Sequence, residues 1–192
     1  MPYFYRAAQP HIAIGSYTGE ALIFSLQSDN SIRLEKEIKV FENAIKGMVA
    51  DQHRLFSVCA STDIAWHNCA DLSLALKIAR AHEKIANACC KAGDAGFASV
   101  ARDRTLRIWI DGAQEVYPTP HSNSVKCICA SHDGKSLMTG SYGGTLAGFH
   151  FPTRTWTSFE RPTTAGISSI TFDPVQNCFL AASYDGEVHI AH

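Results

Sequence analysis

The sequence predicts an all-β chain built from about five copies of one four-stranded antiparallel unit. Five segments align without a gap over thirteen columns: Ile12 to Phe24, Leu55 to His67, Phe97 to Trp109, Leu137 to Phe149 and Phe179 to Ala191. Their first residues lie 43, 42, 40 and 42 positions apart. No 3.6-residue helical pattern interrupts them.

Each segment reads as an apolar run with small residues, a tight turn carrying Gly or Asp, and a second alternating apolar run. That is the pattern of a β-hairpin, so each segment supplies two strands. A third β-prone run lies upstream of most of them, at Ile45 to Ala50, Ile85 to Cys90, Val125 to Ala130 and Ile167 to Phe172. A fourth follows, as in Ser73 to Ile78 and Thr155 to Phe159. Four short strands at this period are the size of a β-propeller blade. The blade units fall at about 1–41, 42–80, 81–120, 121–162 and 163–192 of a single domain, 1–192.

The run Phe97-Ala98-Ser99-Val100-Ala101-Arg102-Asp103-Arg104-Thr105-Leu106-Arg107-Ile108-Trp109 resembles the WD-repeat signature, with Trp109-Ile110-Asp111 near its closing dipeptide. The turn Ser131-His132-Asp133-Gly134-Lys135 is similar to that family's tight turn between first and second strands, where Asp-Gly permits positive φ. The resemblance covers almost the whole chain. It implies a structural tetrad of His82, Ser99, Asp103 and Trp109, a buried hydrogen-bond chain that satisfies polar groups the turn would otherwise strand. Buried inside a blade, this Ser, His and Asp are no hydrolase triad. The next unit keeps His121 and Thr139 but has Gly143 and Phe149 at the Asp and Trp positions, and the last has Asp185 with Ala181 and Ala191. Those two units are expected to rely on apolar contacts instead.

Strand counting gives about nineteen strands where five whole blades need twenty, because the last unit stops at His192 after its third strand. Pro2 to Ala7 can be the first strand of the first blade or can complete the last one, which is the family's usual closing device. WD-repeat rings mostly have seven blades, so five imply an open arc, part of a larger ring, or a tight five-bladed ring. An open arc exposes strand edges and apolar blade faces, which a second copy, a different subunit or further blades of a longer polypeptide would cover.

In the family, partners usually dock on the loops between second and third strands, through the residue just before the turn Asp. That column reads Tyr17, Ala60, Arg102, Tyr142 and Tyr184. Tyrosine and arginine combine large buried area with a polar end, so Tyr17, Arg102, Tyr142 and Tyr184 are the candidate partner-binding residues. Arg102 and Arg104 flank the turn Asp and form a basic pair suited to a carboxylate or phosphate.

Composition removes other classes. With 46% hydrophobic and 18% charged residues and a net charge of −1, the chain has no general attraction for nucleic acid or an anionic membrane. No apolar run approaches the roughly 20 residues of a membrane helix, and Met1 to Arg6 lacks the order of a secretory signal. A cytoplasmic, reducing location follows, with all seven cysteines as thiols. Cys127 and Cys129 share a strand face, but no second pair completes a zinc set, and Gly140 to Gly144 precedes no phosphate-holding helix. No metal, cofactor or catalytic residue is expected. The functional expectation is a protein-interaction scaffold or recognition module in a larger assembly. A ligand-sensing propeller is the alternative, and a propeller enzyme is disfavoured by the lack of a repeat-equivalent carboxylate pair.

Overall fold

A computed structural model describes residues 2–6 and 9–192. It is all-β, with nineteen strands among the described residues gathered into five antiparallel sheets. The chain divides into two units, 1–86 and 87–192.

The first unit holds two sheets. One is formed by β1 (Tyr3–Arg6), β2 (Gln9–Gly15), β3 (Glu20–Leu26) and β4 (Ile32–Lys39). The other is formed by β5 (Ile45–Ala50), β6 (Arg54–Cys59), β7 (Ile64–Asn68) and β8 (Leu74–Ile78). β1 pairs with β2, Tyr3 opposite Ile12, so the segment from Pro2 takes the first of its two arrangements. Ala7, its last residue, lies outside the described residues. Strand alternation sends Ala13, Ala21 and Ile23 of the first sheet inward against Leu55 and Ala65 of the second.

The second unit holds β9 (Ala86–Ala92), β10 (Gly96–Ala101), β11 (Thr105–Ile110) and β12 (Ala113–Pro118), whose first residue belongs to the preceding unit. The fourth sheet follows as β13 (Val125–Ala130), β14 (Ser136–Ser141), β15 (Leu146–His150) and β16 (Thr155–Glu160). The fifth has three strands, β17 (Ile167–Asp173), β18 (Cys178–Ser183) and β19 (Val188–Ala191). Sheets stack face to face. Ala98, Val100, Leu106 and Ile108 of the third meet Leu137 and Phe149 of the fourth. Met138 and Leu146 on the fourth sheet's other side meet Phe179, Ala181 and Ala191 of the fifth.

Irregularities recur with the repeat. The first strand of three sheets shifts register at the same column, at Ile45/Gly47, Val125/Cys127 and Ile167/Ser169. The third strand does so at Ile23/Phe24, Trp66/His67 and Gly148/Phe149. Such bulges add twist and bend a strand, and here they belong to the repeat itself. The turn after β13 has Gly134 at φ 68°, and its carbonyl accepts from the Gly93 N–H at 3.0 Å.

Candidate interaction surface

In every sheet the second and third strands meet in a five-residue turn: Ser16–Glu20, Cys59–Asp63, Ala101–Thr105, Ser141–Thr145 and Ser183–Glu187. The fourth residue of each is left-handed: Gly19 at φ 98°, Thr62 at 77°, Arg104 at 64°, Gly144 at 76° and Gly186 at 89°. This is a tight turn followed by a bulge residue, which suits the strands' right-handed twist. Glycine takes that position freely, whereas Thr62 and Arg104 hold it at a steric cost.

The turns are closed by groups other than the column side chain. Ser16 Oγ accepts from the N–H groups of Thr18, Gly19 and Glu20 at 3.2, 3.0 and 2.9 Å. Asp103 Oδ1 accepts from Thr105 N–H at 2.9 Å and from its hydroxyl at 2.7 Å. Asp185 accepts from the Ser183 and Thr163 hydroxyls and from Glu187 N–H, and these bonds bring its carboxyl down to about 2. The column residue contributes its backbone: Ala60, Tyr142 and Tyr184 donate N–H to Ala44, Ser124 and Gly166 carbonyls at 2.9, 3.0 and 2.9 Å. Its side chain is left to point outward.

Tyr17 is 84% exposed and Tyr184 60%, Arg102 is exposed and Tyr142 is half-buried. In the second unit the Tyr142 and Tyr184 rings lie 6.3 Å apart at 10°, and Lys126 Nζ sits 5.6 Å from the Tyr142 centroid. In the first unit Lys46 Nζ stands 5.5 Å from the Tyr17 centroid, a cation–π arrangement of the same kind. Sequence reasoning missed both lysines. They occupy one repeat column, each directly after the apolar residue that opens its first strand, so aligning that upstream strand would have found them. Arg104 is exposed and donates to the Ser122 carbonyl at 3.5 Å.

The tetrad residues are all inside. Trp109 Nε1 donates to Ser99 Oγ at 2.8 Å, with Ser99 fully buried and Trp109 1% exposed. The Asp103 carboxylate, 2% exposed, faces Arg107 at 3.7 Å. His82 is buried in the first unit, where its N–H donates to the Thr62 carbonyl.

One expectation is overturned. The fourth sheet, lacking both Asp and Trp, keeps a buried polar chain. His121 Nε2 lies 2.9 Å from Thr139 Oγ1 and Nδ1 lies 2.6 Å from Thr145 Oγ1, which in turn is 2.7 Å from Ser141 Oγ. Thr145 enters from β15's edge and does the work of the missing Asp. Burial pushes the His121 imidazole down to about 4, so it stays neutral near pH 7.

The seven cysteines are free thiols. Cys90 and Cys127 fill sheet-to-sheet cores, and burial raises the thiols of Cys69 and Cys127 to about 12. Asp185, Glu187 and His189 bring possible ligand atoms within 4.8 Å of one another, but the Asp185 oxygens are already spent on the turn.

Stacked four-stranded sheets with this turn at every second-to-third strand junction define a β-propeller repeat protein. Residues 114–147 and 153–191 match the family described as "WD domain, G-beta repeat", and that part of the chain carries WD repeats. Proteins of this kind are generally protein-interaction modules. Among curated proteins none matches the chain. The crystal structure of the computationally designed Ika8 protein is similar, with a TM-score of 0.78 at 16% identity over 95% of this chain and 55% of that one. The chain thus spans about half the length of that structure, and at such identity the likeness is one of fold. No helix among the described residues is long and apolar enough to cross a membrane.

Proposed function

We propose that residues 1–192 form one WD-repeat domain acting as a non-catalytic scaffold or recognition module of a larger assembly, in a reducing cytoplasmic setting. A protein partner docks on the second-to-third strand turns through Tyr17, Arg102, Tyr142 and Tyr184. A second subunit or second copy supplies the blades that extend the stack. His82, Ser99, Asp103 and Trp109 serve the fold alone.

The observation that carries this reading is the division of labour within each turn. Backbone, Ser and Asp groups close the turn, so the exposed Tyr17 and Tyr184 rings are not needed to close it. Exposed aromatics beside a lysine are the residue types that anchor protein interfaces. The buried, high-pKa thiols suit a reducing compartment.

The test is purification of the native assembly, identification of the co-purifying protein, and titration of that protein against Tyr17→Ala, Arg102→Ala, Tyr142→Ala and Tyr184→Ala chains. The strongest of these is expected to weaken binding by about 2 kcal/mol with the melting temperature unchanged. Four folded variants that bind as the parent does would refute the docking surface.

A further inference from the structure

The five sheets expose very different amounts of the same repeat positions. Within each unit, a sheet that has a successor turns one face toward it. On the third sheet this face carries Ala98, Val100, Leu106 and Ile108, all fully buried. On the fourth, Met138 is 3% and Leu146 1% exposed. The same columns of the fifth sheet are Leu180, Ala182, Val188 and Ile190. Val188 is 63% exposed, Ile190 58%, and the other two are half-buried. Among the described residues β19 pairs with β18 alone. The turn glycine agrees. A Cβ on Gly144 would lie 2.2 Å from the Thr163 carbonyl oxygen, in the strand-linking loop that covers it, whereas nothing stands within 4 Å of one on Gly186.

The first sheet has the opposite face uncovered. Its columns Ile12, Ile14, Leu22 and Phe24 correspond to Leu137, Thr139, Ala147 and Phe149 of the fourth sheet, each no more than 1% exposed. Here Ile14 is 41% exposed and the other three are half-buried. Tyr3 opposite Ile12 and Leu34 opposite Phe24 extend the same face at 50% and 51% exposure. None of the eight column residues on the two faces is charged. Where the second, third and fourth sheets place Ser57, Ser99 and Thr139, the first has Ile14, so this column carries no polar side chain to satisfy.

We propose that copies of this chain associate head to tail, the Leu180, Val188 and Ile190 face of one copy stacking on the Ile12, Ile14, Leu22 and Phe24 face of the next. This rests on the reading of the chain as an interaction module, and uses different side chains from the tyrosine turns. The occupant is a second copy because one chain bears both halves of a contact it already makes internally. The face that Leu106 and Ile108 use to bury Leu137 and Phe149 is, column for column, what the fifth sheet offers and the first sheet accepts. The contact is heterologous, joining two different patches.

Native mass and light scattering across a concentration series, with Val188→Arg and Ile14→Arg chains, test it. Both positions are solvent-exposed in the single chain, so both variants retain the parent's circular dichroism and melting curve. The parent is expected to run as two or more 20.9 kDa copies, and each variant to self-associate roughly tenfold more weakly or worse. Mixing the two variants restores one intact pair of faces and yields a one-to-one heterodimer that grows no further. Tyr184→Ala leaves the mass unchanged, which keeps failure here separate from failure of the partner surface. A parent that stays monomeric at every concentration overturns the proposal. So does an Ile14→Arg chain that assembles as the parent does, which would mean like faces pair with like. A monomer whose Val188 face is protected only by a different, co-purifying protein overturns it as well.

Discussion

The fourth and fifth sheets are two readings of one repeat, and they differ in what covers them. The fourth lies between neighbours, excludes water, and can keep a neutral histidine bonded to two threonine hydroxyls, one of them held in turn by Ser141, in its interior. The fifth is covered on one face, and its polar work is done at the surface by Asp185, Ser183 and Thr163. Blade sequence therefore answers to the cover as much as to the repeat. Position 146 needs a buried leucine, while position 188 tolerates an exposed valine.

Truncation should break this comparison most sharply. Leu146→Ala removes a side chain that is 1% exposed and should cost about 2–5 kcal/mol. Val188→Ala in the same column removes one that is 63% exposed and should cost well under about 1 kcal/mol in the unassociated chain. Denaturant unfolding of dilute protein gives both values. Equal costs would mean that the fifth sheet is covered after all.

A methyl group on the turn glycine probes the same difference from the backbone. Gly144 and Gly186 share positive φ, so alanine at either pays a left-handed strain of roughly 1–2 kcal/mol. Only at Gly144 does the new carbon also strike carbonyl oxygens, at 2.2 and 2.5 Å from Thr163 and Ala165. Gly144→Ala should cost about 2–4 kcal/mol, and Gly186→Ala about half of that or less, in the same unfolding measurement. A Gly186→Ala cost matching that of Gly144→Ala would place a cover over the last turn.

The strands, their order within each repeat and the hairpin turns were legible because alternation and a period near forty-two residues are local properties of the chain. The Ser99 and Trp109 pair was legible from the signature. The fourth sheet's polar chain was not. A motif scan tests Gly143 and Phe149 at fixed columns, while Thr145 reaches His121 from two residues along, through a hydroxyl that any β-strand surface can carry. Lys46 and Lys126 escaped for a related reason. A lysine's reach over a ring depends on the neighbouring turn in space, and the hairpin alignment ends before the strand that bears it.

Acid should separate the two sheets by pH window. His121 has its ordinary value of 6.5 when unfolded and about 4 in the fold, because burial opposes the charged ring. Between those values the unfolded chain binds the proton and the folded chain does not, so stability is full above pH 6.5 and declines as pH falls to about 4. At about 1.4 kcal/mol per pH unit the loss is on the order of 3 kcal/mol. Asp185 acts later. Its value falls from 3.8 to about 2, so its contribution persists until pH drops below 3.8 and is small because the group is exposed. Melting curves from pH 7 to 3 should therefore show most of the decline above pH 4. His121→Gln should flatten that part, leaving what buried His67, also shifted down, supplies. Thr163→Val should act only below pH 4, where Asp185 titrates. An unchanged slope in His121→Gln between pH 6.5 and 4 would mean that the imidazole is already solvated, and that the fourth sheet's interior is as open to water as the fifth sheet's outer face.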